Sequence, residues 1–94
     1  MSESSINLEG AVNIAKVESL HHEMEEAFKL ALPTIIHASD VSRADTAALQ
    51  LLVVFIKSMH QAKVKISWSG VSDELVAAAK LLGLEEVLNL PIPQ

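Results

Sequence analysis

The sequence predicts a small single α/β domain over residues 1–94, with an ordered core at about residues 6–90 and a mostly parallel central sheet. Two observations predict this class. Short segments that are rich in β-branched residues, or that alternate apolar and polar residues, are each followed by a segment with apolar residues at helical spacing. This order is typical of strands joined by crossover helices. A length of 94 residues also leaves room for only one hydrophobic core. We expect about four to five strands and about three to four helices.

The first half of the chain changes period twice. Residues 6–14 alternate apolar and polar side chains, which predicts a short strand or hairpin. Residues 16–31 carry apolar side chains at helical spacing with glutamates on the opposite face, so we expect an amphipathic helix that Pro33 ends. The β-branched TIIHA segment at residues 34–38 predicts a second strand. The polar residues 39–45 are then expected to form a loop.

The second half repeats the alternation. Residues 46–61 predict a helix that is apolar over much of its circumference, as in a helix that is buried on two sides or that offers one side to a partner. Residues 64–68 predict a strand with one solvated face. A serine N-cap opens a predicted helix over residues 72–82, and Gly83 is expected to end it. Residues 85–90 predict one more helical turn or a short strand.

Composition excludes several classes of function. Hydrophobic residues make up 50% of the chain and charged residues 20%, which predicts a packed globule. The formal net charge of −5 argues against a nucleic-acid partner and against an electrostatic membrane anchor. Cysteine is absent, so no disulfide or thiolate metal site is expected. Residues 1–10 lack a signal-peptide pattern, and the apolar run at residues 51–56 is far shorter than the roughly 20 residues of a membrane span. We therefore expect a cytoplasmic protein without membrane insertion.

Metal binding is not expected either. His21 and His22 precede Glu25 and Glu26 at a spacing of four residues, which can bring ligands together on a helix. Two such ligands on an acidic helix face do not make a site, and the HExxH pattern is absent. A solvated helix face is the better interpretation, and no metal or cofactor is predicted.

A hydrolytic site can be imagined from residue types alone. Thr46 would be the nucleophile, His37 the base, and Asp40 or Asp45 the group that orients the base. The chain lacks a glycine-rich nucleophile elbow and a phosphate-binding loop, and it contains only three glycines. We therefore expect no enzymatic activity.

The pair Asp45–Thr46 allows two interpretations. Either residue would be a good N-cap for the helix that follows. Alternatively, a hydroxyl at a helix start after a strand is open to a partner, and a phosphate added there would meet backbone N–H groups and the helix dipole. The residues alone favour capping and leave both roles open.

The stretch DTAAL at residues 45–49, together with the order of the elements, resembles the STAS domain family, the fold of bacterial anti-sigma factor antagonists. In that family a strand and a short loop lead to D-S-S-G-L at the start of a helix. The AKLLGLEEVL segment at residues 79–88 is similar to the usual family ending. Among the positions that differ, Thr46 stands at the family serine, Ala48 at a glycine, and His37 at the acidic residue of the strand end.

The resemblance implies a non-enzymatic regulatory module for signal transduction. Thr46 would be the phosphoacceptor of a phosphoprotein, and its partner would be a serine kinase/anti-sigma factor. The wording DTAALQLL is similar to small STAS proteins that accompany chemotaxis-type histidine kinases. The alternative is a STAS subunit of an ATP-driven phospholipid (Mla-type) transporter that binds its ATPase. The implied partner-binding residues are Ser39, Ser42, Arg43, Asp45, Thr46, Ala48 and Gln50.

Overall fold

Strands and helices alternate along the chain, as the sequence predicts. The computed structural model describes residues 3–88 and residue 90. Position 89 of the ordered core predicted at residues 6–90 lies outside the described residues. The elements in chain order are β1 (Ser4–Val12), α1 (Ile14–Lys29), β2 (Thr34–Ala44), α2 (Thr46–Gln61), β3 (Ile66–Val71), α3 (Asp73–Leu81) and α4 (Glu85–Leu88).

The sheet is entirely parallel, in the order β1-β2-β3. The α/β class is therefore confirmed, and the described residues form four helices, within the expected three to four. The described residues form three strands, so the expected four to five are not found in this part of the chain. Both crossovers step in the same direction across the sheet, and right-handed crossovers of this kind put α1 and α2 on the same face.

One face of the sheet is therefore covered and the other is open. In β1, Ile6 and Leu8 are buried beneath the helices, while Asn7 and Glu9 are exposed on the opposite face. In β2, Ile36 is completely buried in the same layer. This period of two produced the strand signal in the sequence, because only one face of each strand packs against helices.

The predicted loop at residues 39–45 is wrong, since β2 continues to Ala44. Its pairing with β1 shifts register twice. Between the pairs Asn7–His37 and Glu9–Asp40, β1 advances by two residues and β2 by three. A second extra residue in β2 precedes Arg43. Bulges of this kind break the alternation of side chains, so a polar run can remain hydrogen-bonded as a strand.

The third strand is also longer than predicted at its end. β3 begins at Ile66 and continues past Gly70 to Val71. Gly70 has a φ of 87°, and its register with β2 is irregular between Ile36 and Ala38. The glycine therefore bends the strand without ending it.

The helix starts follow capping chemistry. The side chains of Asn13, Asp45 and Ser72 accept hydrogen bonds from backbone N–H groups in the first turns of α1, α2 and α3. Ser72 Oγ accepts from the Leu75 N–H at 3.1 Å. The N-cap predicted at Ser72 is thereby confirmed.

All three long helices end in a Schellman motif. In α3 the predicted Gly83 occupies the left-handed position, with a φ of 69°, and the Leu84 N–H donates to the Ala79 carbonyl at 2.8 Å. Ala31 and Lys63 hold the same position after α1 and α2, with φ values of 51° and 60°. Helix α1 therefore ends before Pro33, at a left-handed turn that is formed by Ala31 and not by a glycine.

Helix α2 forms the centre of the core. Leu49, Leu52, Ile56 and Met59 are almost completely buried, and α2 packs against α1 on one side and α4 on the other. The indole Nε1–H of Trp68 in β3 donates to the Leu88 carbonyl of α4 at 2.9 Å. Helix α4 is thus fixed to the sheet. In the described part of the chain, no helix is both long and apolar enough to cross a membrane.

Candidate functional site

The junction between β2 and α2 answers the question raised by Asp45 and Thr46. The Asp45 N–H donates to the Val12 carbonyl at 3.1 Å, which holds this residue at the end of the sheet. Asp45 has extended backbone angles, and its Oδ1 accepts from the Ala48 N–H at 3.1 Å. Its carbonyl accepts the first helical hydrogen bond, from the Leu49 N–H. Asp45 is therefore the N-cap of α2.

Thr46 is the first helical residue, and its side chain is exposed. Within residues 3–88, no hydrogen bond engages the Thr46 hydroxyl. The capping acceptor is the Asp45 carboxylate, so the hydroxyl is not needed to complete the helix. The first backbone N–H groups of any α-helix lack helical acceptors, and they carry the positive end of its dipole. Thr46 thus presents a hydroxyl to solvent beside a partly positive helix end.

Apart from Ala48, the other predicted contact residues divide into three groups. Arg43 and Asp45 line one depression at the carboxyl end of β1, and Asp45 directly precedes Thr46 in the chain. Ser39 lies in a second depression on the open sheet face. Ser42 and Gln50 are exposed, the latter on the outer side of α2.

Ala48 differs from the other predicted contact residues because it is completely buried. Its side chain belongs to the core cluster beneath the first turn of α2. Ala48 therefore cannot contact a partner directly. It can affect binding only indirectly, because its size sets how closely the first turn of α2 packs on the core.

The second depression contains two of the residues of the imagined hydrolytic site, His37 and Asp40. His37, Ser39 and Asp40 line it together with Glu9 and Ser69. Thr46 is not among the lining residues, so the proposed nucleophile and base are not assembled in one cleft. No cluster of three or more potential metal ligands occurs in the described part of the chain.

A feature that residue-by-residue reasoning missed lies between α1 and α2. The exposed side chains of Phe28 and Val54 border an apolar groove, with exposures of 45% and 60%. The sequence carried one signal of it, namely the excess of apolar residues around the circumference of α2. Its location depends on the packing angle between two helices, which periodicity does not specify.

Comparisons with known proteins agree with this architecture. The model of the family described as "Mlab, STAS domain" matches residues 1–91. No curated protein matches the chain. Among solved structures, the STAS domain of a SulP transporter from Vibrio cholerae is similar to the chain in fold, with a TM-score of 0.63 and 22% sequence identity. The match covers 90% of this chain and 66% of the transporter domain, slightly less than two thirds of it. The chain belongs to the STAS domain family.

Proposed function

We propose that this protein is a non-enzymatic regulatory module that binds a signalling protein through the junction of β2 and α2. Thr46 is the central contact and the phosphoacceptor in this proposal. STAS domains are in general regulatory or interaction modules, which supports the class of function. The contact surface consists of the exposed residues around the junction, which are Ser42, Arg43, Asp45, Thr46 and Gln50.

The observation that carries the proposal is the division of roles between Asp45 and Thr46. If Thr46 were the cap, its hydroxyl would be committed to the helix and its presence would be explained by stability alone. Asp45 supplies the cap, so the exposed Thr46 hydroxyl has no structural task within the described residues. An exposed polar side chain on a rigid helix start is well placed for recognition, because little conformational entropy is lost on binding.

Phosphorylation at this position would change the surface strongly. A phosphothreonine adds about 1.5 to 2 negative charges at neutral pH. Backbone N–H groups of the first turn and the nearby Arg43 would attract the phosphate, whereas the Asp45 carboxylate would repel it. A partner that packs against the neutral hydroxyl would have to desolvate this charge, so modification is expected to release it.

The principal partner in this proposal is a serine kinase/anti-sigma factor or a chemotaxis-type histidine kinase. The test begins with affinity purification from native cells, with mass spectrometry of both the bound proteins and Thr46. The partner thus identified is purified and titrated with four forms of the domain: wild type, Thr46→Ala, Thr46→Glu and Ser5→Glu. Ser5 is exposed on the opposite sheet face and gives a charge-matched control.

Thr46→Glu is expected to weaken binding by about tenfold or more, since an unpaired charge is desolvated at the contact. Ser5→Glu should change affinity less than about twofold. Thr46→Ala should abolish phosphate incorporation by the kinase. Equal affinity for wild type and Thr46→Glu would contradict the proposed contact surface. If the purified partner kinase did not phosphorylate Thr46, the result would contradict the proposed control of binding by phosphorylation.

A second candidate is a constitutive subunit that binds the ATPase of an ATP-driven phospholipid transporter. The family description, "Mlab, STAS domain", favours it, and the similar solved structure is also a transporter domain. In this case the chain should co-purify with the ATPase in a fixed stoichiometry whatever the phosphorylation state of Thr46. A complex that dissociates when Thr46 is phosphorylated would contradict it.

A further inference from the structure

The groove between α1 and α2 has the geometry of a helix-binding surface. On α1 it is lined by His21, Met24, Glu25 and Phe28, and on α2 by Leu51, Val54, Phe55 and Ser58. Both sets follow the spacing i, i+3, i+4, i+7, so each is a single stripe along its helix. Each stripe spans eight residues, a rise of about 10 Å along the helix. The two helices run in the same direction, because both cross over between parallel strands.

The floor and the rims of this groove are apolar. Met24 and Phe55 are buried at its base, and Leu51 is half-buried. Phe28 and Val54 stand at its edges with about half of their surfaces in water. Apolar side chains facing each other across a groove, rather than scattered singly, are characteristic of an interaction surface.

The shape of the groove favours a helix as its occupant. Parallel ridges of side chains at helical spacing accept a third helix whose own ridge lies between them. A groove of two turns matches an amphipathic helix with apolar anchors at i, i+3 or i+4, and i+7.

Charge specifies the flanks of that occupant. Glu25 lines the α1 side, and Glu18, seven residues earlier, continues the same exposed stripe. Glu23 lies on the other side of α1, in a depression that β1 also lines, so Glu18 and Glu25 are the carboxylates of this stripe. On the α2 side the exposed charge next to Val54 is positive, at Lys57. A complementary helix therefore carries lysine or arginine on the flank that faces α1 and lacks them on the flank that faces α2.

We propose that the α1–α2 groove is a docking site for a short amphipathic helix of a partner protein, with two or three apolar anchors and basic residues on one flank. Phe28 and Val54 contact the anchors, and Glu25 pairs with a basic residue. The site goes beyond the role of Thr46, since Val54 lies eight residues further along α2, at a distance of about 12 Å along the helix axis. Either surface can function without the other.

The test uses a synthetic helical peptide of about 15 residues, with leucines at i, i+4 and i+7 and lysines on one flank. A second peptide replaces the lysines by glutamate, and a third contains the lysine peptide's residues in scrambled order. Binding is measured by fluorescence anisotropy at low and high salt. The site of binding is mapped by backbone amide chemical-shift changes in the full chain. We expect only the ordered lysine peptide to bind, with shifts concentrated on the residues that line the groove.

Matched variants sharpen the test. Val54→Gln should weaken the lysine peptide by about tenfold through loss of apolar contact, and Glu25→Gln by about twofold to fivefold at low salt. Leu81→Gln is the control for Val54, because Leu81 is 87% exposed on α3. Glu86→Gln on α4 is the control for Glu25. Both controls should change affinity by less than about twofold, and thermal melts verify that all variants fold.

Three results would overturn the proposal. If the glutamate peptide or the scrambled peptide bound as tightly as the lysine peptide, the binding would be a non-specific apolar association. Chemical-shift changes outside the groove would locate the site elsewhere. A dimer of the unliganded chain that Val54→Gln converts to monomer would show that a second copy covers the groove. Thr46→Glu should leave peptide affinity unchanged, which separates this site from the proposed function.

Discussion

Replacement of Asp45 by alanine is expected to destabilise the fold, whereas replacement of Thr46 by alanine is not. The two side chains are neighbours and both are exposed, so their burial does not distinguish them. The difference lies in one hydrogen bond, from the Ala48 N–H to Asp45 Oδ1 at 3.1 Å. Thr46 makes no corresponding bond within the described residues.

The magnitude follows from this cap. Loss of an N-cap acceptor costs about 1 kcal/mol, within a range of about 0.5 to 2. Since Ala48 is completely buried and its N–H has restricted access to water, the upper half of that range is expected, at about 1–2 kcal/mol. For a domain of this size each kcal/mol lowers Tm by about 4–8 °C. Asp45→Asn should retain most of the stability because the amide oxygen also caps. Thr46→Ala should remain within about 0.5 kcal/mol of wild type.

Urea denaturation provides the assay. Circular dichroism follows the helices, and fluorescence of the single tryptophan, Trp68, reports the contact between β3 and α4. Coincident transitions from both probes justify a two-state free energy of unfolding. If Thr46→Ala costs more than Asp45→Ala, the Thr46 hydroxyl is the cap. That hydroxyl would then be committed to the helix and not free for a partner.

Three further predictions concern stability and are measured by the same denaturation. Lys63→Gly should raise the free energy of unfolding by up to about 1 kcal/mol, because Lys63 has a left-handed backbone conformation that is strained for any residue with a Cβ. An unchanged free energy of unfolding would mean that contacts of the lysine side chain offset this strain. Trp68→Phe should cost about 1–3 kcal/mol, since the Leu88 carbonyl loses its donor, and retention of full stability would exclude a role for that bond. This variant contains no tryptophan, so its unfolding is followed by circular dichroism alone. Gly70→Ala should cost about 1–3 kcal/mol, because the new Cβ would clash with Ser39 Oγ and because the backbone conformation of Gly70 disfavours alanine. Adding Ser39→Ala should restore part of this stability, and a double variant without any recovery would contradict the clash.

The helices were predictable because their signals are local. Residues 46–61 were predicted as a helix from apolar spacing, and α2 has these bounds. Ser72 and Gly83 mark the start and end of α3 through hydrogen bonds within a few residues of each side chain. Helix α1 ends at Lys29, two residues before the predicted end, because its left-handed turn is formed by Ala31 and no glycine indicates its position in the sequence.

The end of β2 was not predictable from the same kind of reasoning. Residues Ser39 to Arg43 are mostly polar, which favoured a loop. In the structure they remain a strand because β1 supplies hydrogen-bonding partners from more than thirty residues earlier in the chain, as in the pair Glu9–Asp40. Two bulges allow the polar side chains to face solvent while Val41 turns into the core.

The sequence by itself determined that a hydroxyl stands at the start of an unusually apolar helix. It also determined the alternation of strands and helices and the family resemblance of DTAAL. Only the tertiary structure decided that Asp45 is the cap and that the hydroxyl of Thr46 is unengaged among the described residues, since both depend on the backbone angles at the sheet end. It also decided that Val54 faces a groove rather than the core. Periodicity specifies which residues share a helix face, whereas the neighbours that cover that face are set by contacts between distant parts of the chain.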